Sequence, residues 1–159
     1  MPRKKIKSGD LFRIKIENKF AFGQCVAISE NDFGYYIIFD YFTSEDAFPP
    51  DKEIIGNNYI IFSQITNERF KKNIWQIYSN MQIRADINFP LFKVSRNKHW
   101  EVEDWAGNFV RIAKDMDVKN LKFRETFSSF AVEYAIKVYL GLEPKDTFSD
   151  QLLMVPSAT

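Results

Sequence analysis

Apolar and polar residues alternate from Leu11 to Ile16, with Phe12, Ile14 and Ile16 on one face and Arg13 and Lys15 on the other. This two-residue period predicts a half-buried β-strand. Glu17-Asn18-Lys19 is short and polar enough for a hairpin turn, after which Phe20–Ser29 resumes as a second strand interrupted at Gly23. Glu30-Asn31-Asp32 offers another turn, and Tyr35–Phe42 is almost continuously β-branched or aromatic. Three consecutive strands predict an antiparallel meander.

Pro49-Pro50 and Gly56 break the pattern between Thr43 and Asn58, which predicts a loop. Tyr59–Ile65 reads as a strand, whereas Phe70–Ser79 fits either a strand or the end of a helix beginning near Asn67. Leu91–Val94, Trp100–Trp105 and Phe109–Ile112 read as a second meander, with turns at Ser95–Lys98 and Ala106–Asn108. Its alternation puts Trp100 and Val102 inside and leaves Glu101 and Glu103 on an acidic outer face.

Phe127, Phe130, Ala131, Tyr134, Ala135 and Val138 recur at helical spacing. Thr126 or Ser128 can cap that helix, and Gly141 followed by Pro144 ends it. The tail from Lys145 contains Leu152-Leu153-Met154-Val155, which fits a final short strand or a loose segment. The expectation is an α+β fold in a single domain, 1–159, with a β-rich region over 5–105 and a strand, helix and C-terminal segment over 106–159. One antiparallel, strongly twisted or barrel-like sheet, built around 10–42 and 90–113, would pack on the helix near 127–140. Phe12, Ile14, Phe22, Ile38, Trp100, Phe130 and Tyr134 are its expected core.

Composition supports burial on aromatic rings, since the 159 residues include 16 Phe, 7 Tyr and 3 Trp. With 22 Lys and Arg against 21 Asp and Glu, the chain has no overall positive field to draw nucleic acid. A single cysteine, Cys25, excludes an internal disulfide framework, and with the single histidine, His99, it leaves too few soft ligands for a zinc or copper site. Carboxylates could still hold magnesium or calcium. The basic residues Arg3, Lys4, Lys5 and Lys7 are followed by Ser8-Gly9-Asp10 rather than an apolar core, and no stretch approaches a membrane span. A cytoplasmic protein without metal or other cofactor is expected.

No stretch resembles a nucleophile elbow, a phosphate-binding loop or a dinucleotide fingerprint. Cys25 sits mid-strand, where a free thiol acts as a small hydrophobe, and His99 opens a strand at the surface. Neither is expected to do chemistry. The carboxylates of Glu101, Glu103 and Asp104 read as solvated charge, which leaves a carboxylate hydrolase or transferase with no positive support. The basic clusters Arg69, Lys71, Lys72 and Lys114–Arg124, the second diluted by Asp115 and Asp117, read as ordinary surface.

The acidic side is more concentrated. Asp40, Glu45, Asp46, Asp51 and Glu53 face only Lys52 within one short stretch, alongside Phe42 and Phe48. An acidic, aromatic loop between strands suits a basic protein partner, because complementary fields speed association. These seven residues, with Trp105 as a further aromatic anchor, form the candidate partner-binding set.

The run Lys5-Ile6-Lys7-Ser8-Gly9-Asp10-Leu11-Phe12-Arg13-Ile14, followed by Phe20-Ala21-Phe22-Gly23-Gln24-Cys25-Val26, resembles the start of the immunity protein 26 family. Pro90-Leu91-Phe92 and Lys98-His99-Trp100-Glu101-Val102 extend the likeness over about residues 5–105, although Lys15-Ile16 stands where a Pro-Leu pair is common. The resemblance implies a noncatalytic α+β antidote, encoded beside a bacterial polymorphic toxin, that binds and neutralises that toxin in the cytoplasm. It implies no catalytic residues. A basic nuclease domain would suit the acidic loop as partner. The competing reading is a small nucleic-acid-binding or regulatory β-rich module.

Overall fold

The structure, a computed structural model, describes residues 5–29 and 33–154. The turn expected at Glu30-Asn31-Asp32, the residues Arg3 and Lys4, and Val155 lie outside the described residues. In chain order the elements are β1 (Asp10–Ile16), β2 (Lys19–Ile28), β3 (Gly34–Thr43), α1 (Asp51–Ile55), β4 (Tyr59–Ile65), α2 (Glu68–Lys71) and β5 (Gln76–Asn80). They continue with β6 (Phe92–Arg96), β7 (His99–Glu103), β8 (Phe109–Ile112), α3 (Asp115–Asn120), β9 (Lys122–Phe123), β10 (Thr126–Phe127), α4 (Ser129–Tyr139) and α5 (Thr147–Leu152). The fold is α+β, as the sequence implies.

The strands form two sheets rather than the one expected, a six-stranded sheet ordered β10-β4-β3-β2-β1-β5 and a four-stranded sheet ordered β8-β7-β6-β9. Both are open and twisted, and both are mixed, because β10 runs parallel to β4 and β9 parallel to β6. These two-residue edge strands are too short to leave a periodic signal in sequence. The chain divides accordingly into two compact units, one built from the described residues up to Ile83 and from Thr126 onward, the other from Arg84–Glu125.

In the first unit β1 and β2 meet through a two-residue turn, with Ile16 opposite Lys19 and Glu17 at φ 53°. One face of the sheet carries Phe12, Ile14, Ile16, Ala21, Cys25, Tyr36 and Ile38, which form a common core with Val132, Ala135 and Ile136 of α4. The Phe12 ring stacks on Trp75 at 5.6 Å and meets Phe70 edge-on at 4.9 Å. Gly23 lies beneath that ring, and a Cβ there would come within 2.4 Å of it, so the glycine is set by close packing. Each fully buried large side chain of this kind contributes roughly 1.5–3 kcal/mol.

The sheet is buried on its other face too, which corrects the half-buried reading of β1. Leu11, Gln24 and Ile37 lie side by side across three strands and are all buried. The Gln24 amide is satisfied by the carbonyls of Gly9 and Met81. The stretch Thr43–Asn58 is not all loop, because α1 forms behind Pro50 and sinks Ile54 completely. Both alternatives for 67–80 are realised in succession, a four-residue helix and then β5.

The late helix begins at Ser128, whose hydroxyl accepts the Ala131 N–H, and ends before Gly141 at φ +77°. Its buried stripe is Ser129, Val132, Ala135, Ile136 and Val138, so Phe130 points away and is 61% exposed. Phe130 instead covers the Arg69 guanidinium at 3.9 Å. Helical spacing counted from Phe127 places Phe130 on the inner face, but Phe127 belongs to β10 and the helix begins only at Ser129. Tyr134 and Trp100 are half-buried rather than core. The tail forms α5 and then a single bridge from Leu153 to Ile61.

In the second unit the turn at Asn97-Lys98 takes two positive φ values, the geometry of a tight hairpin. Asp104 accepts the N–H groups of Ala106 and Asn108 around Gly107, which closes the next turn. The acidic outer face expected on β7 is corrected at Glu103, which is buried between Arg96 and Arg124 at 3.1 and 3.2 Å.

Candidate functional site

The acidic stretch after β3 is strapped to the sheet by a residue that the alternation pattern had assigned to solvent. Arg13 on β1 is buried, and β5 places Gln76 directly beside it. The guanidinium donates to Gln76 Oε1 at 2.7 and 3.0 Å and to Asp46 Oδ1 at 2.7 Å. It lies between the rings of Phe20 and Phe48, 4.3 Å from each centroid. A buried guanidinium is tolerated only when its donors are satisfied, and here a carboxylate, an amide and two π-faces do so. A lone arginine on an apolar strand, in a chain with an acidic aromatic loop, was the available signal.

Phe48 also stacks on Tyr78 at 4.6 Å, yet stays 51% exposed. Its outward face is the large apolar surface on the strap. Asp40 ends the buried part of β3 and accepts the Tyr139 hydroxyl at 2.9 Å, while Glu53 accepts the Tyr41 hydroxyl at 2.9 Å. Asp51 accepts the Ser79 hydroxyl, and Glu45 is exposed. Partial burial, followed by the neighbouring carboxylate, raises the pKa of both Tyr41 and Tyr139, so both hydroxyls remain donors at neutral pH.

Hydroxyl donors orient these carboxylates without cancelling their charge, whereas Arg13 neutralises Asp46. Phe42 is half-buried, with its ring 5.9 Å from Tyr139, and packs on the sheet face that α4 covers, the face opposite Arg13 and Phe48. The structure thus brings Asp46, Phe48, Asp51 and Glu53 together on the Arg13 face of the sheet, with Glu45 exposed beside them, whereas Asp40 and Phe42 lie on the opposite face against Tyr139 of α4. Trp105 belongs to the second unit, where it stacks on Phe89 at 4.8 Å.

Burial, and secondarily Asp10, pushes the Cys25 thiol up to about 12, which leaves it a protonated core residue. His99 is exposed and contacts Glu101 at 3.0 Å. Among the described residues no group of three His, Cys, Asp or Glu side chains converges, and no helix is long and apolar enough to cross a membrane. The basic clusters spend their arginines internally, Arg69 on Glu133 at 3.1 Å and Arg124 on Glu103.

The family model described as Immunity protein 26 matches residues 7–105, well over half of the chain. The chain belongs to the immunity protein 26 family. Neither the curated proteins nor the solved structures contain a match. The family segment contains all eight candidate residues together with Arg13 and Gln76, whereas β8, α3, β9 and the C-terminal helices follow it. Membership carries an immunity role in general.

Proposed function

We propose that this member of the immunity protein 26 family binds and neutralises a cognate bacterial toxin in the cytoplasm, acting by occupancy and without catalysis or cofactor. Family membership over residues 7–105 is the observation that carries the reading. The contact we favour is the acidic strap, in which Asp40, Asp51 and Glu53 are oriented by hydroxyl donors and Glu45 stands exposed. Asp46 belongs to the strap through Arg13, and Phe48 offers an exposed ring held from behind. Phe42 lies beside Asp40 against Tyr139 of α4, and Phe42 and Trp105 are further aromatic contacts in this reading.

Such a surface fits a basic partner, such as a nuclease domain with a cationic cleft. Charges fixed before encounter steer association without an ordering cost, while a pinned ring can act as an anchor. The test is co-expression with the toxin domain encoded by the neighbouring reading frame, scored by growth. Growth restored by the unaltered chain is the expected result. Unrelieved arrest, with both proteins present and folded, would overturn the proposal.

A further inference from the structure

Arg13 occupies a position where an apolar residue would serve the fold as well. Leu11, Phe12, Ile14 and Ile16 around it on β1 are all buried, and taking a guanidinium out of water costs desolvation that an ion pair often fails to offset. The carboxylate it meets adds little, because the Asp46 side chain is 78% exposed and a pair so open to water is screened. Arg69 shows the contrast. Its partner Glu133 is only 20% exposed and also accepts the Trp75 Nε1–H at 2.8 Å, so that pair joins α2 to α4 within the fold. Arg13 instead reaches a loop.

What a guanidinium supplies that an aliphatic side chain cannot is a fixed position for that loop. Its fork gives Gln76 Oε1 two donors and Asp46 Oδ1 a third, and its carbon lies 4.3 Å from the centroids of both Phe20 and Phe48. Phe20 of β2 and Gln76 of β5 locate the guanidinium, which in turn locates Asp46 and Phe48. Tyr78 of β5 gives the Phe48 ring a second support at 4.6 Å. The ring is half exposed yet ordered before any encounter, and an anchor ordered in advance loses no freedom on binding.

We propose that Arg13 is a positioning residue for toxin binding, which holds Phe48 in the orientation that a basic partner grips while neutralising one carboxylate of the strap. This deepens the immunity reading above and rests on it. Charge and order then make opposite demands on this position. A surface that worked by charge alone would hold a basic partner better without Arg13, since its removal frees Asp46 and leaves the strap more acidic. A surface that works through a held anchor would release the partner faster.

The test uses the toxin domain whose growth arrest the unaltered chain relieves, with association and dissociation measured separately. Arg13→Lys keeps the charge but not the planar fork, and Arg13→Met keeps an apolar stem but not the charge. Both should speed dissociation roughly tenfold or more, with association unchanged in Arg13→Lys and equal or faster in Arg13→Met. Phe48→Ala should speed dissociation to a similar degree, and adding Arg13→Lys to it should change the rate by less than about twofold, because Arg13 acts through that ring. In the free chain, the NMR signals of the Phe48 ring should move toward those of free phenylalanine in either Arg13 variant, while those of the Phe12 ring stay in place and report an intact core. A folded Arg13→Met that holds the toxin as long as the unaltered chain does, or longer, would overturn the positioning role and leave the immunity role standing. Unmoved Phe48 signals, or an Arg13→Lys effect that persists in full without the Phe48 ring, would overturn it too, and these decide the matter should Arg13→Met fail to fold. Arrest that the unaltered chain does not relieve would remove both readings.

Discussion

The two units of this protein treat their apolar residues in opposite ways. The six-stranded unit buries both faces of its sheet and builds a continuous core from Phe12, Tyr36, Phe70 and Trp75. In the four-stranded unit, Phe92 and Val102 are the buried hydrophobics among the described residues, while Phe109, Ile112, Met116 and Phe123 are exposed. That unit is held instead by charge, through Glu103 between two arginines and Arg111 on Asp117. Lys93 adds to it, lying 4.9 Å from the Phe123 centroid and bonding the Val118 carbonyl. Stability resides in the first unit, and the second has surface to spend.

The contrast can be broken most forcefully at Phe12. Phe12→Ala should cost ~3–5 kcal/mol, because the ring is wholly buried among three others and Gly23 leaves no side chain to fill the gap. Denaturant unfolding checks this, and a loss below about 1 kcal/mol would show that the core lies elsewhere. Arg13→Ala should cost about 2 kcal/mol by stranding the Gln76 and Asp46 acceptors and unstacking Phe48. Proteolysis between Thr43 and Pro50 should speed up in the same variant.

Glu103→Gln sharpens the comparison from the other side. It should cost about 1–2 kcal/mol, moderated because Arg96 is half in water, and should appear as faster amide exchange across β6 and β7 while the first unit stays protected. Exchange that rises equally in both units would erase the distinction. Phe130→Ala should cost under about 1 kcal/mol, since its ring lies on the surface over Arg69.

The smallest effect concerns Cys25. Its folded pKa of about 12 exceeds the ordinary 9.0, so folding favours the neutral thiol. That contribution is complete below pH 9 and drains away as pH rises toward 12. At pH 8 the native thiol should resist alkylation and the unfolded thiol should react; equal rates would place Cys25 outside the core.

Most strands were legible because a two-residue period survives wherever one face is apolar, as in β1, and because turns such as Asn97-Lys98 and Ala106–Asn108 carry their own chemistry. Long-range facts were not. Alternation cannot distinguish an exposed Arg13 from one that finds Gln76 and Asp46 across the fold, nor an exposed Glu103 from one clasped by Arg96 and Arg124. The mixed character of both sheets depends on β9 and β10, edge strands of two residues each. The acidic loop was visible in composition, but its retention by Arg13, and the tyrosines that orient Asp40 and Glu53, appear only in three dimensions.

The central claim is that an acidic surface neutralises a toxin by binding it, and association kinetics test it most directly. The proposed toxin partner would be titrated with the unaltered chain and with a Glu45→Lys, Glu53→Lys double variant over a range of salt. The expected result is a tight complex for the unaltered chain, with association slowed roughly tenfold or more in the variant and a weaker salt dependence. Identical association rates and salt slopes, with the variant folded, would contradict the account.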